Sequence, residues 1–178
     1  MEFFDVMRAR FSVRTYQDKP VDAAALRTIL EAVNGAPSAF NAQACEIVVV
    51  RDAGRKEQLA KACFNQMFAA TAPVMLVFFA NPDRNREKIG ETGAAVYSHE
   101  DATIACDYAH LAAAALGLGS CWIAAYGQKA VSEALGAPPS WCPVALLCIG
   151  HPAEAAKPRE RRPLNDIVHE EQARKQPL

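Results

Sequence analysis

Apolar residues along the chain recur with two periods. Between Asp22 and Gly35, Leu26, Ile29, Leu30 and Val33 fall at i, i+3, i+4 and i+7, one face of a helix that Asp22 is placed to cap after Pro20. Three nearly continuous apolar runs, 46–51, 74–80 and 144–150, have strand length and many β-branched residues. They predict interior strands covered on both faces. From Asp101 the period is helical again: Ile104, Tyr108, Leu111 and Ala115 share a face, and the row Ala112-Ala113-Ala114-Ala115 lets a neighbouring backbone come close. Gly117 and Gly119 are read as the end of that helix, where residues free to take positive φ are favoured. A fourth strand is predicted over 120–125 and a short helix over 129–135. The irregular alternation of elements predicts an α/β (α+β) fold, with a mixed sheet sandwiched by helices.

Two segments stand outside this pattern. Residues 81–98 are polar and carry Pro82, Gly90 and Gly93, so they are expected to form a loop long enough to act as a mobile cap. The tail over 151–178 is rich in proline and charge yet keeps Ile167 and Val168 as an apolar handle. It is either a disordered end or an arm that wraps a partner subunit.

The bulk composition narrows the function classes. A length of 178 residues at 51% hydrophobic content can bury one sizeable core, so a single domain over 1–178 is expected. The net charge of −1 offers no overall field for nucleic acid or anionic lipid. No run approaches the roughly 18 apolar residues of a membrane span, and the start of the chain lacks a basic region followed by an apolar one. A soluble, cytoplasmic protein with no nucleic-acid or membrane partner is the expectation. The six cysteines form no CxxC and are read as buried thiols. Cys142, Cys148 and His151 straddle a strand without a fourth ligand at zinc spacing, so no metal is expected.

Four stretches carry candidate chemistry. In extended geometry Arg10, Ser12 and Arg14 fall on one side of the chain. Two guanidiniums and a hydroxyl suit a phosphate, although alternating arginines also occur on solvated edges. Residues 36–43, with Pro37, Ser38, Ala39, Asn41 and Gln43, are turn formers that also offer donors and acceptors for a planar heterocycle. The Gly117-Leu118-Gly119 element follows a helix and precedes a strand, the reverse of a dinucleotide fingerprint, so a Rossmann site is rejected. A second basic cluster, 157–164, holds Arg159, Arg161 and Arg162. His99, Glu100 and Asp101 stand where the cap meets the helix, with Asp101 as its expected N-cap and His99 free to face a substrate cavity and supply a proton. His110, among alanines, is read as a satisfied packing residue.

Taken in order, these stretches resemble the nitroreductase superfamily of FMN-dependent enzymes. The family pattern Arg-x-Ser-x-Arg/Lys matches Arg10, Ser12 and Arg14. Its Ala-Pro-Ser-Ser-x-Asn-x-Gln-Pro-Trp element appears at 36–46 with Ser38, Asn41 and Gln43 kept, and its Ala-x-x-Leu-Gly-Leu-Gly-Ser/Thr-x-Trp element at 113–122. The closing basic-x-Arg-x-Pro-Leu element falls at 159–164, so the resemblance spans about residues 4–168.

The resemblance implies a nitroreductase-like fold, a mainly antiparallel sheet flanked by helices, in an intertwined homodimer with FMN. It implies that Arg10, Phe11, Ser12 and Arg14 contact the phosphate and pyrimidine side, and that Arg159 and Arg161 close over the phosphate. Pro37, Ser38, Ala39 and Asn41 resemble the segment that reaches the flavin of the other subunit. Asn65 or Gln66 resembles an amide contact to the isoalloxazine edge. Trp122, Ile123 and Ala124 lie at the strand end where relatives present a backbone N–H to flavin N5. The implied activity is ping-pong transfer of hydride from NAD(P)H through N5 to a nitroaromatic, a quinone or another small acceptor. Ala39 and Ala44-Cys45 depart from the family's frequent Ser and Pro-Trp. Ala124 and Ala125 stand where some relatives carry an acidic residue and Gly. Reductive dehalogenation, flavin fragmentation and an FMN-binding module without turnover are the competing readings.

Overall fold

The computed structural model describes residues 1–156 and 159–172. Lys157 and Pro158 of the second basic cluster, and the expected arm from residue 173 onward, lie outside the described residues.

The chain opens with helix α1 (Phe3–Ala9) and reaches α2 (Ala23–Asn34), where Asp22 accepts the Ala24 N–H at 2.6 Å and Leu26, Ile29 and Val33 are buried. Strand β1 (Cys45–Val50) follows, then α3 (Ala53–Ala62), capped by Asp52 through the Arg55 N–H at 2.8 Å, and the short α4 (Phe68–Thr71). Strand β2 (Val74–Ala80) leads into the long α5 (Arg86–Ala115), then β3 (Gly119–Ile123), α6 (Gln128–Leu135) and β4 (Cys142–Gly150). The four strands make one sheet in the order β1-β2-β4-β3, each neighbouring pair antiparallel.

Alternation along β2 explains the layers. Val74, Leu76, Phe78 and Ala80 face one side, together with Ala145, Leu147 and Ile149 of β4, and are covered by α2 and α5. Met75, Val77 and Phe79 face the other side, with Leu146 and Cys148, and are covered by Leu59, Ala60, Ala69 and Val131 from α3, α4 and α6. An apolar run with no polar alternation is therefore the pattern of a strand with a helical layer on each face. The run predicted over 46–51 differs: β1 is an edge strand of this sheet, and Val49 is 38% exposed.

Three other expectations change. The segment 81–98 is not an unstructured loop: α5 begins at Arg86, with one break at Gly90 (φ 70°). Asp101 is consequently not an N-cap but a buried side chain in the middle of that helix. The face of α5 that meets the sheet is built from Ala102, Ala105, Cys106, Ala109 and Ala113, whereas Tyr108 is 40% exposed. Small side chains let the helix axis lie close to the strands, and the bulkier row is turned off them.

Helix α5 ends as expected at Gly117 (φ 73°), where the Leu118 N–H reaches the Ala113 carbonyl and the Gly117 N–H that of Ala114, a Schellman closure. Gly119 serves a different purpose: a Cβ there would lie 2.6 Å from Val13 Cγ2, so the bare backbone admits the N-terminal segment. Cys63, Cys106, Cys121 and Cys148 are buried free thiols, while Cys45 is half-buried and Cys142 exposed. Among the described residues no helix is long and apolar enough to cross a membrane.

Candidate functional site

After α1 the chain becomes extended at Arg10 (φ −65°, ψ 126°) and runs beside β3. Ser12 forms a parallel bridge with Ser120, the Val13 N–H donates to the Ser120 carbonyl at 3.0 Å, and Val13 is fully buried. Burial of Val13 turns Ser12 and Arg14 the other way. Past Tyr16 the same segment pairs with the chain leaving β4: Gln17 N–H donates to His151 O, Ala153 N–H to Thr15 O, and Tyr16 bridges Pro152. Glu154 adds a carboxylate oxygen that accepts the N–H groups of Arg14 at 2.6 Å and Thr15 at 3.0 Å.

These pairings draw the two basic stretches together. Arg10, Phe11, Ser12, Arg14, Arg159 and Arg161 line one open cavity of about 710 Å³, joined by Met7, Arg8 and Ala156. Arg8 is committed to Asp5 at 2.6 Å. Arg14 stands over the Phe68 ring, 5.7 Å from its centroid, an arrangement that holds a guanidinium without cancelling its charge. Arg10 donates to His110 Nε2 at 2.9 Å, and His110 Nδ1 lies 2.7 Å from Ser120 Oγ. Burial, and then the neighbouring Arg10, depress the His110 pKa to about 4, so the ring is neutral at physiological pH. None of the ion pairs among the described residues involves Arg10, Arg14, Arg159 or Arg161. Four guanidiniums thus line the cavity wall, and the Glu154 carboxylate is held on the backbone N–H groups of Arg14 and Thr15.

The far end of β3 forms a second surface. The Ser120 carbonyl faces away from β4 toward Val13, and the strand period of two turns the Trp122 backbone to that same open edge, with Ala124 just past the strand end. Ile123 is buried beneath it and Ala124 is exposed. Beside it, Phe64 and Asn65 both take positive φ, 54° and 59°, and the Gln66 amide donates to Cys63 O at 3.0 Å and Ala125 O at 3.2 Å. Gly127 N–H closes onto Ala62 O at 2.9 Å. The two residues left open by the sequence thus differ: both Gln66 donors are engaged in tying loop to strand end, and Asn65 is exposed.

The third stretch sits elsewhere. Phe40, Asn41 and Gln43 take positive φ of 53°, 53° and 51°, a strained path held by Asp101, which accepts Ala39 N–H at 2.8 Å and Ala44 N–H at 3.4 Å. Gln43 N–H donates to Ser38 Oγ at 3.0 Å, and Arg84 Nε to Ala42 O at 3.0 Å. Pro37 and Ser38 line a cavity of about 180 Å³ together with Gln43, Cys45 and Asp101, separate from the arginine-lined one. Within one chain the structure therefore does not bring Pro37, Ser38, Ala39 and Asn41 to Arg10. His99 is exposed on α5 and lines neither cavity. Asp101 and His110 acquire their polar roles only from the tertiary structure, and nothing in the local sequence around either one signals a partner.

A helix-flanked antiparallel sheet with an arginine-lined cavity along its β3 edge defines an α+β protein. The sequence profile of the Nitroreductase family matches residues 7–72 and 65–151. A Thermus thermophilus protein named NADH dehydrogenase is 33% identical over 186 aligned positions, covering 89% of this chain and 91% of that one. The FMN reductase (NAD(P)H) of Bacillus subtilis is 34% identical over 175 positions, covering 90% of this chain and 70% of its own length. The solved NADPH:FMN oxidoreductase of Vibrio harveyi complexed with NAD+ superposes with a TM-score of 0.90 at 27% identity, covering 97% of this chain and 78% of that one. The chain belongs to the nitroreductase family.

Proposed function

We propose that the protein is a single-domain, FMN-dependent NAD(P)H oxidoreductase that works as a cytoplasmic homodimer and reduces nitroaromatics, quinones or related small acceptors. The observation that carries this reading is the convergence of Arg10, Arg14, Arg159 and Arg161 with Ser12 on one cavity. Guanidiniums from both ends of the chain, none of them paired with a carboxylate among the described residues, fit the phosphate of FMN. The names of the Bacillus and Vibrio relatives support the cofactor and the nicotinamide donor.

Bound FMN supplies a two-electron carrier between donor and acceptor. Arg10, Ser12, Arg159 and Arg161 would hold its phosphate, and Arg14 would supply a positive charge to its pyrimidine side. The open backbone edge at Trp122 and the exposed Ala124 beyond it would hold the flavin, and Asn65 would offer it an amide. Pro37, Ser38, Ala39 and Asn41, remote from this cavity in their own chain, would reach the flavin of the other subunit. Exposed Phe3, Phe4, Val96, Tyr97, Leu164, Ile167 and Val168 give such a dimer its apolar cover. Six free thiols suit a reducing compartment.

Purification and anaerobic titration test the reading. The expected result is a yellow protein of twice the 19.3 kDa chain mass in light scattering, bleached by NADH or NADPH and recoloured by an acceptor from a panel of nitroaromatics, quinones and free flavins. A colourless protein that does not retain added FMN overturns the cofactor. A flavin that bleaches only with dithionite overturns the nicotinamide donor.

A further inference from the structure

Arg10 is held by an imidazole and not by a carboxylate. A carboxylate partner fixes a guanidinium but cancels its charge and competes with an incoming anion. A neutral imidazole fixes it and leaves the charge in place. Only one tautomer of His110 allows this. A guanidinium has donors and no acceptor, so His110 Nε2, 2.9 Å from Arg10 Nη1, must carry the lone pair. The ring proton then sits on Nδ1 and is donated to Ser120 Oγ at 2.7 Å. The backbone of that same Ser120 takes the Val13 N–H and bridges Ser12. One residue of β3 thereby sets both the strand that carries Ser12 and, through His110, the guanidinium next to it. The ring is 5% exposed and stands edge-on to Trp122, with centroids 6.4 Å apart and planes at 81°, so its orientation is fixed by packing as well.

We infer that His110 is a positioning residue for anion recognition: through the relay Ser120–His110–Arg10 it aims the Arg10 guanidinium, still fully charged, at the phosphate of the bound nucleotide. This rests on the assignment of the arginine-lined cavity to FMN phosphate. The depressed pKa of His110 agrees with a ring that accepts from a cation. Gln places an amide oxygen near the position of Nε2 and an N–H2 near that of the donor, so it is the conservative replacement. Phe keeps the ring volume and loses both polar atoms.

The test compares FMN with riboflavin, which lacks the phosphate, on the purified full chain. His110→Phe is expected to weaken FMN about tenfold, the effect of roughly one charge-assisted hydrogen bond, with riboflavin affinity unchanged. His110→Gln is expected to stay within about twofold of wild type on the same scale. In an Arg10→Ala background His110→Phe adds no further loss. FMN binding unchanged in His110→Phe, equal loss of FMN and riboflavin, or full additivity with Arg10→Ala overturns the inference. Nitrogen NMR of the wild-type imidazole needs no variant to fold: a proton on Nδ1 and none on Nε2 supports the relay, and the opposite tautomer overturns it. A wild type that binds FMN no better than riboflavin overturns the phosphate assignment itself, an outcome separate from all of these.

Discussion

The carboxylate of Asp101, buried in the middle of α5, accepts the backbone N–H of Ala39 at 2.8 Å across 62 positions of sequence. A second oxygen of the same group accepts Ala44 N–H at 3.4 Å, so one side chain grips both ends of a loop whose Phe40, Asn41 and Gln43 hold positive φ. Left-handed backbone at non-glycine residues persists only where surrounding structure imposes it. The anchor is what imposes it here. Asp101→Leu leaves both N–H groups without an acceptor and is expected to cost roughly 1–3 kcal/mol in urea denaturation. A variant as stable as wild type would show that the loop needs no anchor.

Gln66 and Asn65 are expected to separate stability from ligand binding. The Gln66 amide bridges Cys63 O and Ala125 O, so Gln66→Leu frees the 63–67 loop from the end of β3 and should lower the melting temperature. The loss corresponds to about 1–2 kcal/mol for two neutral hydrogen bonds. Asn65→Gly, which removes the amide at this exposed position and accepts the positive φ, should leave melting nearly unchanged and weaken flavin binding. The reverse pattern, measured by calorimetry and flavin titration on both variants, sinks the assignment.

Gly119→Ala drives a methyl to within 2.6 Å of Val13 Cγ2. Overpacking of this kind costs about 1–3 kcal/mol and should displace Ser12 and Arg14 from the cavity, weakening both stability and FMN retention. The added methyl also meets Val13 Cβ at 2.9 Å, so only removal of the whole opposing side chain relieves the contact, and Gly119→Ala with Val13→Gly should bind FMN better than Gly119→Ala alone. No recovery in the double variant would place the damage elsewhere than at the Val13 contact.

Acid should act through His110 in a defined window. Its folded pKa is held at about 4, below the ordinary histidine value of about 6.5, by burial and the Arg10 guanidinium. Arg10 is the charged group that faces it, with Ser120 and Trp122 from β3 as its other neighbours. Between these two values the unfolded chain binds the proton and the folded one does not, so stability rises with pH through the window and falls as pH drops from about 6.5 toward about 4. The wild-type melting temperature should therefore fall more steeply over that range than that of His110→Gln, which has no ring to protonate. Parallel pH profiles for the two proteins would show that His110 does not titrate with folding.

Much of the fold is written in local pattern. The run at 74–80 coincides with β2, and the period of Leu26, Ile29 and Val33 gives the buried face of α2. Such elements are legible because each residue's burial follows from its own spacing. Where burial depends on a distant neighbour, the pattern misleads. The polar stretch 81–98 reads as loop because its apolar content is low, yet from Arg86 it is helical, interrupted by a kink at Gly90 before the Ala-rich half of α5. The bulky row Ile104, Tyr108 and Leu111 reads as the core face, yet the sheet accepts the small row because close approach, not side-chain size, sets the contact.

The sequence by itself determined which chemistry is available: two arginine-bearing stretches about 145 positions apart, a Gly-Leu-Gly closure before a strand, and the order in which they occur. Only the tertiary structure decided that they meet. The Tyr16–Pro152 bridge and the Ser12–Ser120 bridge carry the two stretches to one cavity, and contacts of that separation leave no local trace. The same holds for His110. Its neighbours in sequence are alanine and leucine, which fit a packing residue, and its polar partners, Arg10 and Ser120, come from other elements. Its tautomer, and with it the aim of Arg10, follows from the fixed donor character of a guanidinium placed beside it by the fold.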